Sequence, residues 1–382
     1  MKIRLSKERS YEDNIVSPNH RISVYIDSKK FVKSKTKMFE EEKTMKSIIA
    51  LLAVTVLILT LQPAAMAEQY YYDTGQRYTV GGIDPTDGTV YLGSSISSFT
   101  SIVHLDSMVD NNPGTHLNVT DGGRVSGQLS TYNNAGITVN GGYVNSLRLE
   151  DNSSVTMTDG EIFDVTMNNN STVSMTGGTI RFALWASDNS AVTINAGWVV
   201  QEGLRVMEDA TLTMNGGYSR HIEAYGNSAV AITGGEVSND GGYVGAYDNA
   251  TVTMRGGSTP YLQAAGNSII TLSGGDAPNL WVYSNGMLYL DGSNFSVTAS
   301  GVTTPLSNGA HLSNYGTLVE NPQGVFYNGE LTGTLADGAF IDSSFAIWNT
   351  GDYAGTGDIV IIPEPATLLL LGLGAVMLRR KR

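Results

Sequence analysis

The feature that most constrains this fold is a repeat of about 19 residues in the middle of the chain. In each copy, apolar and polar residues alternate toward a glycine-rich step, as in Val155-Thr156-Met157. Ten copies begin, in order, at Leu117, Ile137, Val155, Val173, Val192, Leu212, Val230, Val252, Ile270 and Leu288. Alternation at period two predicts a β-strand in each block. A fixed period of this length predicts a solenoid of stacked coils.

A second strand is predicted just before each block. Counted back from the first residue of a block, the eighth and sixth positions are apolar from Leu147 and Leu149 onwards. Each unit is therefore expected to hold two short strands with apolar side chains inward. Because one unit cannot bury its own apolar face, about ten coils should stack as an all-β, single-stranded parallel β-helix. Right-handed winding is expected from the usual hand of parallel crossovers, and an antiparallel meander of hairpins is the alternative.

The turn between the two strands carries the same amide in most coils. Asparagine stands three residues before the block at Asn134, Asn152, Asn170, Asn189, Asn227, Asn249, Asn267 and Asn285, and Asp209 interrupts the series. Equivalent amides in stacked coils donate and accept along the stack, so we expect a structural Asn ladder. This repeated turn argues against the meander. Glycine pairs such as Gly177-Gly178 are expected to supply positive φ at another corner.

The flanks of the repeat are expected to cover its ends. Residues 68–116 are interpreted as an N-terminal cap, residues 117–293 as the solenoid and residues 294–358 as a C-terminal β cap. Open solenoid ends expose unpaired strand edges that would otherwise polymerise.

A secretory signal peptide is predicted over residues 45–67. Met45-Lys46 precedes an apolar run, and Ala65 and Ala67 form a small-x-small cleavage site for signal peptidase. The run is short for a membrane-anchored helix, which is the alternative. Residues 1–44 are interpreted as a non-native extension, with translation beginning at Met45 or Met38; a long natural leader is the alternative.

Residues 359–382 are interpreted as a second targeting signal, at the C-terminal end of the chain. An apolar run from Ala366 to Leu378 predicts a short transmembrane helix with a cytoplasmic basic end. The flanking residues of this tail are Pro363, Glu364 and Pro365 before the run and Arg379, Arg380, Lys381 and Arg382 after it. In order, spacing and position, the tail resembles the PEP-CTERM sorting signal.

That resemblance implies an exported protein of a Gram-negative bacterium that makes extracellular polysaccharide. An integral membrane transpeptidase, the exosortase, would recognise Pro363–Pro365 after transient insertion of the helix in the inner membrane. The product would lie at the cell surface or outside the cell. Retention of the tail as an anchor stays open.

Charge and cysteine content exclude several classes of partner. Between Glu68 and Ile362 there are 7 Arg, no Lys and 28 Asp plus Glu, so the net charge is 7 − 28 = −21. So acidic a surface repels phosphate backbones, and nucleic acid is not expected as a partner. The chain has no cysteine, which excludes disulfides and thiolate metal sites.

No active site, metal site or cofactor site is predicted. The mature histidines, His104, His116, His221 and His311, lack metal-ligand spacing. Acidic residues are scattered over different coils. A polysaccharide-degrading enzyme on a pectate-lyase-like β-helix is nevertheless an alternative. Such an enzyme needs clustered carboxylates for acid–base chemistry or for calcium, with a basic group near the sugar.

Two outward features are candidates for binding. A row of hydroxyls on the block strand, including Thr138, Thr156 and Thr193, resembles the ice-binding face of antifreeze solenoids. Aromatic residues on the other strand suit stacking on sugar faces, and they are Trp185, Tyr225, Tyr247, Trp281 and Tyr283. The sequence therefore favours a non-catalytic exported protein, adhesive or structural in association with exopolysaccharide. Enzymatic and ice-binding roles are the alternatives.

Overall fold

The alternating pattern forms strands throughout the part of the chain that the computed structural model describes. These residues are 69–72, 77–80, 90–92, 95–96, 102–105, 114–321, 324–348 and 355–362. They contain 28 strands, linked by one continuous network of hydrogen bonds, and one 3₁₀ turn, Leu312–Asn314. The three faces of each coil are called the first, second and third sheets below. The predicted extension 1–44, the signal peptide with Ala65 and Ala67, the apolar tail helix and the motif residues from Pro363 onwards lie outside the described residues.

The strands have the following bounds. In chain order they are β1 (Gln69–Tyr72), β2 (Arg77–Val80), β3 (Val90–Tyr91), β4 (Ser95–Ile96), β5 (Ile102–Leu105), β6 (His116–Thr120), β7 (Arg124–Thr131), β8 (Gly136–Leu149), β9 (Ser154–Met167), β10 (Thr172–Ala186), β11 (Ala191–Val199), β12 (Gly203–Val206), β13 (Thr211–Met214), β14 (Tyr218–Ser219), β15 (Ile222–Ala224), β16 (Ala229–Ile232), β17 (Glu236–Val237), β18 (Val244–Ala246), β19 (Thr251–Ser258), β20 (Tyr261–Ala264), β21 (Ile269–Asp276), β22 (Asn279–Tyr283), β23 (Met287–Ala299), β24 (Val302–Pro305), β25 (Thr317–Asn321), β26 (Gly324–Leu335), β27 (Phe340–Trp348) and β28 (Asp358–Ile362).

The ten block strands stack in parallel and in register, and they form the first sheet. Leu117 pairs with Ile137, Ile137 with Val155, and the column continues without a break to Leu288. Ten rungs separated by nine turns build the predicted β-solenoid. All residues of this column, and of the column two positions later, are buried. The period-two pattern is therefore the inward face of the first sheet.

The strands that precede the blocks form the second sheet. Its inward column includes Leu129, which pairs with Leu147, and continues through Val165, Leu184, Leu204 and further coils to Leu280. These side chains are fully buried against those of the first sheet. The two predicted inward columns are thus confirmed.

Each coil contains a third strand, so the expectation of two strands per unit is wrong. This third sheet follows the glycine step and pairs Val144 with Ile162, Ile162 with Ile180 and Ile180 with Val199. These side chains are also buried, and they close the core on its third side. In later coils the same position holds Ser219, which weakens the apolar pattern along the sequence.

The corners of the coil depend on residues with positive φ. Gly178 has φ +78°, and a Cβ there would lie 2.9 Å from the carbonyl oxygen of Gly160 in the preceding coil. Only glycine meets both conditions without strain. At the asparagine turn, positive φ falls on the residue just before the predicted Asn, for example Asp151 at +57° before Asn152. Asn and Asp tolerate this conformation better than other L residues.

The described strands of the expected N-terminal cap continue the sheets of the solenoid. Tyr78 pairs in parallel with Leu117 on the first sheet, and Val103 pairs in parallel with Leu129 on the second. These strands lack the glycine blocks, yet their registers match those of the repeat.

The C-terminal cap is an antiparallel excursion that returns to the stack. Strand β23 leaves the solenoid and pairs antiparallel with β24 and β26, and β26 pairs antiparallel with β25 and β27. The chain then adds a last rung. Leu280 pairs in parallel with Phe345 of β27, and Leu288 with Ile359 of β28. The final coil is therefore completed by residues far along the chain.

Candidate functional site

The outer face of the second sheet holds all five predicted sugar-stacking residues. Inward and outward side chains alternate along each strand, so residues flanking a buried column point outward. Trp185 and Trp281 share one outward column, whereas Tyr225, Tyr247 and Tyr283 lie in the next column. Five strand spacings separate the two tryptophans, or about 24 Å. Trp185 therefore stands apart and contacts Phe182 edge-on at 6.0 Å.

The other four residues belong to two groups of stacked rings. Tyr225 and Tyr247 stack with centroids 4.7 Å apart and planes 13° apart. Tyr247 lies across Gly245, where a Cβ would meet its ring and hydroxyl at 2.7–3.0 Å. In the second group, Trp281 contacts Tyr261 at 4.7 Å. All of these rings are half-buried, because neighbouring rungs cover part of each ring.

The second group extends into the C-terminal cap, which the sequence analysis did not foresee. Tyr283 stacks with Trp348 at 6.1 Å, and Trp348 stacks with Phe326 at 4.2 Å. Strands β22, β27 and β26 bring these three rings together across the sheet. One signal was available: Phe345-Ala346-Ile347-Trp348 has the same alternation as the repeat strands.

A charged cluster lies beside the first group of rings. Glu223 accepts a hydrogen bond from the Arg205 Nε at 2.9 Å, and Tyr243 donates its hydroxyl to the other carboxylate oxygen. Burial raises the pKa of Tyr247 to about 12 and also strongly raises the pKa of Tyr243, with a contribution from the hydrogen bond to Glu223. Both hydroxyls stay protonated donors at neutral pH. Burial lowers the pKa of His221, so its imidazole is neutral there.

A groove of about 360 Å³ lies at the cap end of the same face. A row of residues that pair across the sheet lines it in the order Trp281, Ala346, Asn328 and Thr317. Ala346 and Asn328 are its floor, and Trp281 and Thr317 stand at the two ends of the row as walls. The row beside it contains Ser344 and Glu330. The side chain of Ala346 is small, and this leaves an open space between the indole of Trp281 and Thr317 at the other end of the row. Its volume falls in the range of ligand pockets.

The hydroxyl rows of the first sheet are in register but are interrupted. Thr213 pairs with Ala231, and Thr271 pairs with Tyr289, so the first row is not a continuous lattice. Two residues further along the same strands is another outward row, in which side chains bond to one another along the stack, as when Thr233 donates to Asn215 at 2.7 Å. Many of these groups are therefore already paired within the protein.

The predicted Asn ladder forms over part of its length. Asn170 donates to Asn152 at 3.2 Å, and Asn285, Asn267, Asn249, Asn227 and Asp209 form an unbroken series of side-chain hydrogen bonds. Asn134 and Asn189 occupy the same turn without such a bond among the described residues.

A second ladder, made of carboxylates, was missed by the sequence analysis. Carboxylates of the preceding position accept backbone N–H groups of the coil before, as Asp188 does from Asn169 at 2.8 Å.

Some carboxylates on the described outer faces are engaged in ion pairs or hydrogen bonds. Glu223 is held by Arg205 and Tyr243, and Arg181 binds Glu161 at 2.5 Å. Asp164 is different, because burial raises the pKa of its carboxyl. The described part of the chain contains no group of three or more His, Cys, Asp or Glu side chains arranged to hold a metal ion.

One exposed aromatic pair lies on a different sheet. Trp198 is 56% exposed on the outer face of the third sheet, with its ring 5.2 Å from Tyr218. The sequence analysis missed this pair because it missed the third strand. Trp198 supplies a natural comparison for Trp281, since the two indoles lie on separate faces.

The last described strand leads directly into the tail. Strand β28 is fixed on one side by β23 and on the other by an antiparallel bridge between Val360 and His311. Asp358 accepts hydrogen bonds from the backbone and hydroxyl of Ser313 at 3.1 and 2.5 Å. No helix in the described residues is long and apolar enough to cross a membrane.

Comparison with known proteins identifies the tail. The family model of the PEP-CTERM protein-sorting motif matches residues 362–382, so the motif starts at the last residue of β28. Neither curated proteins nor solved structures gave a match to the chain.

Proposed function

We propose that the β-solenoid of this exported protein, which carries a PEP-CTERM motif and is sorted by an exosortase, is a non-catalytic binding surface for extracellular polysaccharide. The motif marks delivery to the cell surface and processing by the exosortase. Binding to polysaccharide would give the delivered rod an adhesive or structural role in the matrix. The precursor would insert transiently in the inner membrane of a Gram-negative cell.

Two groups of stacked rings on one outer face carry this proposal. Aromatic faces pack against the C–H faces of sugars, and neighbouring polar groups bond to hydroxyls. Tyr225 and Tyr247 lie beside Arg205 and Glu223, whereas Trp281 lies beside the groove. A flat, rigid face of this kind loses little entropy when it binds an extended chain.

The charges of the same face favour binding over cleavage. Cleavage of a glycosidic bond by acid–base catalysis uses two carboxyl groups on opposite sides of the bond. At the charged cluster, the carboxylate of Glu223 is occupied by Arg205 and Tyr243, and the two nearby tyrosine hydroxyls do not ionise near neutral pH. This arrangement orients donors rather than moving protons.

A combined binding and turnover assay tests the proposal. The purified full-length protein is incubated with a panel of immobilised extracellular polysaccharides, and bound protein and released reducing sugar are both measured. We expect saturable binding without release of sugar, and weaker binding by Trp281→Ala. Trp198→Ala, which removes the same side chain from the third sheet, is the matched control and should bind like the wild type. Release of sugar in proportion to protein would support the enzyme instead.

A further inference from the structure

The groove at the cap end of the second sheet has the construction of a saccharide subsite. We propose that it binds one unit of an uncharged polysaccharide, with the sugar ring against Trp281 and over Ala346. This inference rests on the proposed function and adds the place of binding and the chemical class of the ligand.

The two aromatic walls of the groove are braced from behind. Trp281 has Tyr261 on its solenoid side at 4.7 Å, and it lines the groove on its cap side. Phe326 is stacked on Trp348 at 4.2 Å and lines the same groove. Because both rings are held in place before a ligand arrives, little rotamer freedom is lost on binding.

The polar walls are also held in place. Ser300 and Thr317 share a hydrogen bond of 2.8 Å between their hydroxyls, and Ser344 donates to Asn279 at 2.7 Å. Each hydroxyl oxygen in such a pair keeps further capacity to accept or donate. Asn328 in the floor offers both an amide donor and a carbonyl acceptor. Alternating donors and acceptors around an apolar wall suit the hydroxyls of a sugar.

Charge decides which class of sugar fits. Among the described residues that line the groove, Glu330 is the charged one, and none is Arg, Lys or His. A uronate, sulfate or phosphate group would therefore meet a carboxylate and no cation. Repulsion between the carboxylate of Glu330 and a negatively charged group on the ligand disfavours acidic sugars. An uncharged hexose or pentose unit meets no such penalty.

Groove filling gives the sharpest test. Ala346→Trp places an indole where the sugar would lie, on an outward position of a strand that tolerates aromatic residues. Its matched control is Ala231→Trp, the same change at an outward position of the first sheet. Trp281→Ala removes the stacking wall, and Trp198→Ala is its control on the third sheet. Circular dichroism and Tm identify any variant that fails to fold. If one of Ala346→Trp and Trp281→Ala fails to fold, the affinity of the other tests the proposal.

Affinities are measured by isothermal titration calorimetry on full-length protein. The uncharged probes are cellohexaose, maltohexaose and xylohexaose, and the acidic probes are hexagalacturonate and hexaguluronate. We expect at least one uncharged probe to bind, with Ala346→Trp and Trp281→Ala each at least tenfold weaker and both controls within twofold of wild type.

The alternative outcomes are distinct. Unchanged affinity in both groove variants would overturn the groove while leaving polysaccharide binding in place. Binding of the acidic probes alone would overturn the uncharged class. Binding of none of the five probes would overturn this inference, whereas the proposed function is overturned only if the immobilised polysaccharides also fail to bind.

Discussion

The hydroxyl of Ser268 donates a hydrogen bond of 2.9 Å to the carbonyl oxygen of Ala246 in the preceding coil. The same hydroxyl accepts the backbone N–H of Ala265 at 3.0 Å. In four other coils the equivalent serines are completely buried, and their hydroxyls have no hydrogen-bond partner among the described residues. These serines are Ser153, Ser171, Ser190 and Ser228. One residue type at one turn position therefore has two different effects on stability.

Substitution by alanine is expected to separate the two cases. Ser268→Ala should lower the free energy of unfolding by about 0.5–1.5 kcal/mol, because two hydrogen bonds of the hydroxyl are lost. The loss is moderate because the N–H of Ala265 still donates to the carbonyl oxygen of Ala246 at 2.9 Å. Ser171→Ala should be neutral or stabilising, because it removes a buried hydroxyl that pays for desolvation without a bond. Ala210 and Ala250 already occupy this position in other coils. Urea unfolding of both variants checks the difference, and equal losses would contradict it.

The stacking of the coils could be predicted from the sequence, but the number of strands in each coil could not. Strict apolar columns such as the one through Val155 and Val173 made the first two sheets predictable. The third sheet was hidden because its inward position accepts Ser219 and Ala277 as well as Val144 and Ile162. Because small residues are accepted at this inward position of the third sheet, the alternation of apolar and polar residues that predicts a strand is lost there.

The groove could not be predicted from the repeat. Its wall residue Trp281 and its floor residues Ala346 and Asn328 come from three strands, paired in parallel at Trp281–Ala346 and antiparallel at Ala346–Asn328. Nothing periodic relates these residues. The orientation of Tyr247 across Gly245 was equally hidden, because a missing side chain on one rung makes room for a ring from the next position. The aromatic residues were recognisable by type, whereas their neighbours required the register.

Glu223 is predicted to stabilise the second sheet through its charge. Glu223→Gln keeps the shape but removes the negative charge that accepts from Arg205, so we expect a loss of about 1–3 kcal/mol in the free energy of unfolding. The control is Glu236→Gln at an exposed position of the third sheet, which should change stability by less than about 0.5 kcal/mol. Chemical denaturation of both variants makes the comparison.

The same variant should alter the alkaline titration of tyrosine. Glu223 contributes to the raised pKa of Tyr243, and the pKa of Tyr247 is about 12 against an ordinary 10.0. These groups keep their protons to higher pH in the fold than in the unfolded chain. Stability must therefore fall as pH rises from 10 toward 12. In Glu223→Gln, absorbance at the phenolate band should show earlier ionisation; an unchanged curve would count against the role of Glu223.

Asp164 is predicted to weaken the fold at neutral pH. Burial raises the pKa of its carboxyl above the ordinary 3.8, so the native state binds its proton more tightly than the unfolded chain does. Stability then falls as pH rises from the ordinary value through the native one. Asp164→Asn removes this penalty, and we expect Tm at pH 7 to rise by about 1–3 °C, with no gain at pH 3.

Calorimetry at the two pH values tests this expectation. The exposed Asp240→Asn is the control, and it should show no difference between pH 7 and pH 3 relative to wild type. An equal gain at both pH values would mean that packing, rather than ionisation, causes the effect at Asp164.

Strand β28 is predicted to be part of the folded body rather than of the removable tail. Ile359 and Ile361 are 0% and 1% exposed, and Asp358 bonds to Ser313 on the neighbouring segment. A chain that ends at Ile362 should therefore keep the Tm of the full-length protein. A chain that ends at Gly357 loses two buried isoleucines and uncovers β23, which should cost at least about 3–6 kcal/mol. Thermal unfolding of the two truncated chains decides, and equal Tm values would show that the last rung is dispensable. Since the sorting motif begins at Ile362, this result also fixes the shortest product that processing can release as an intact solenoid.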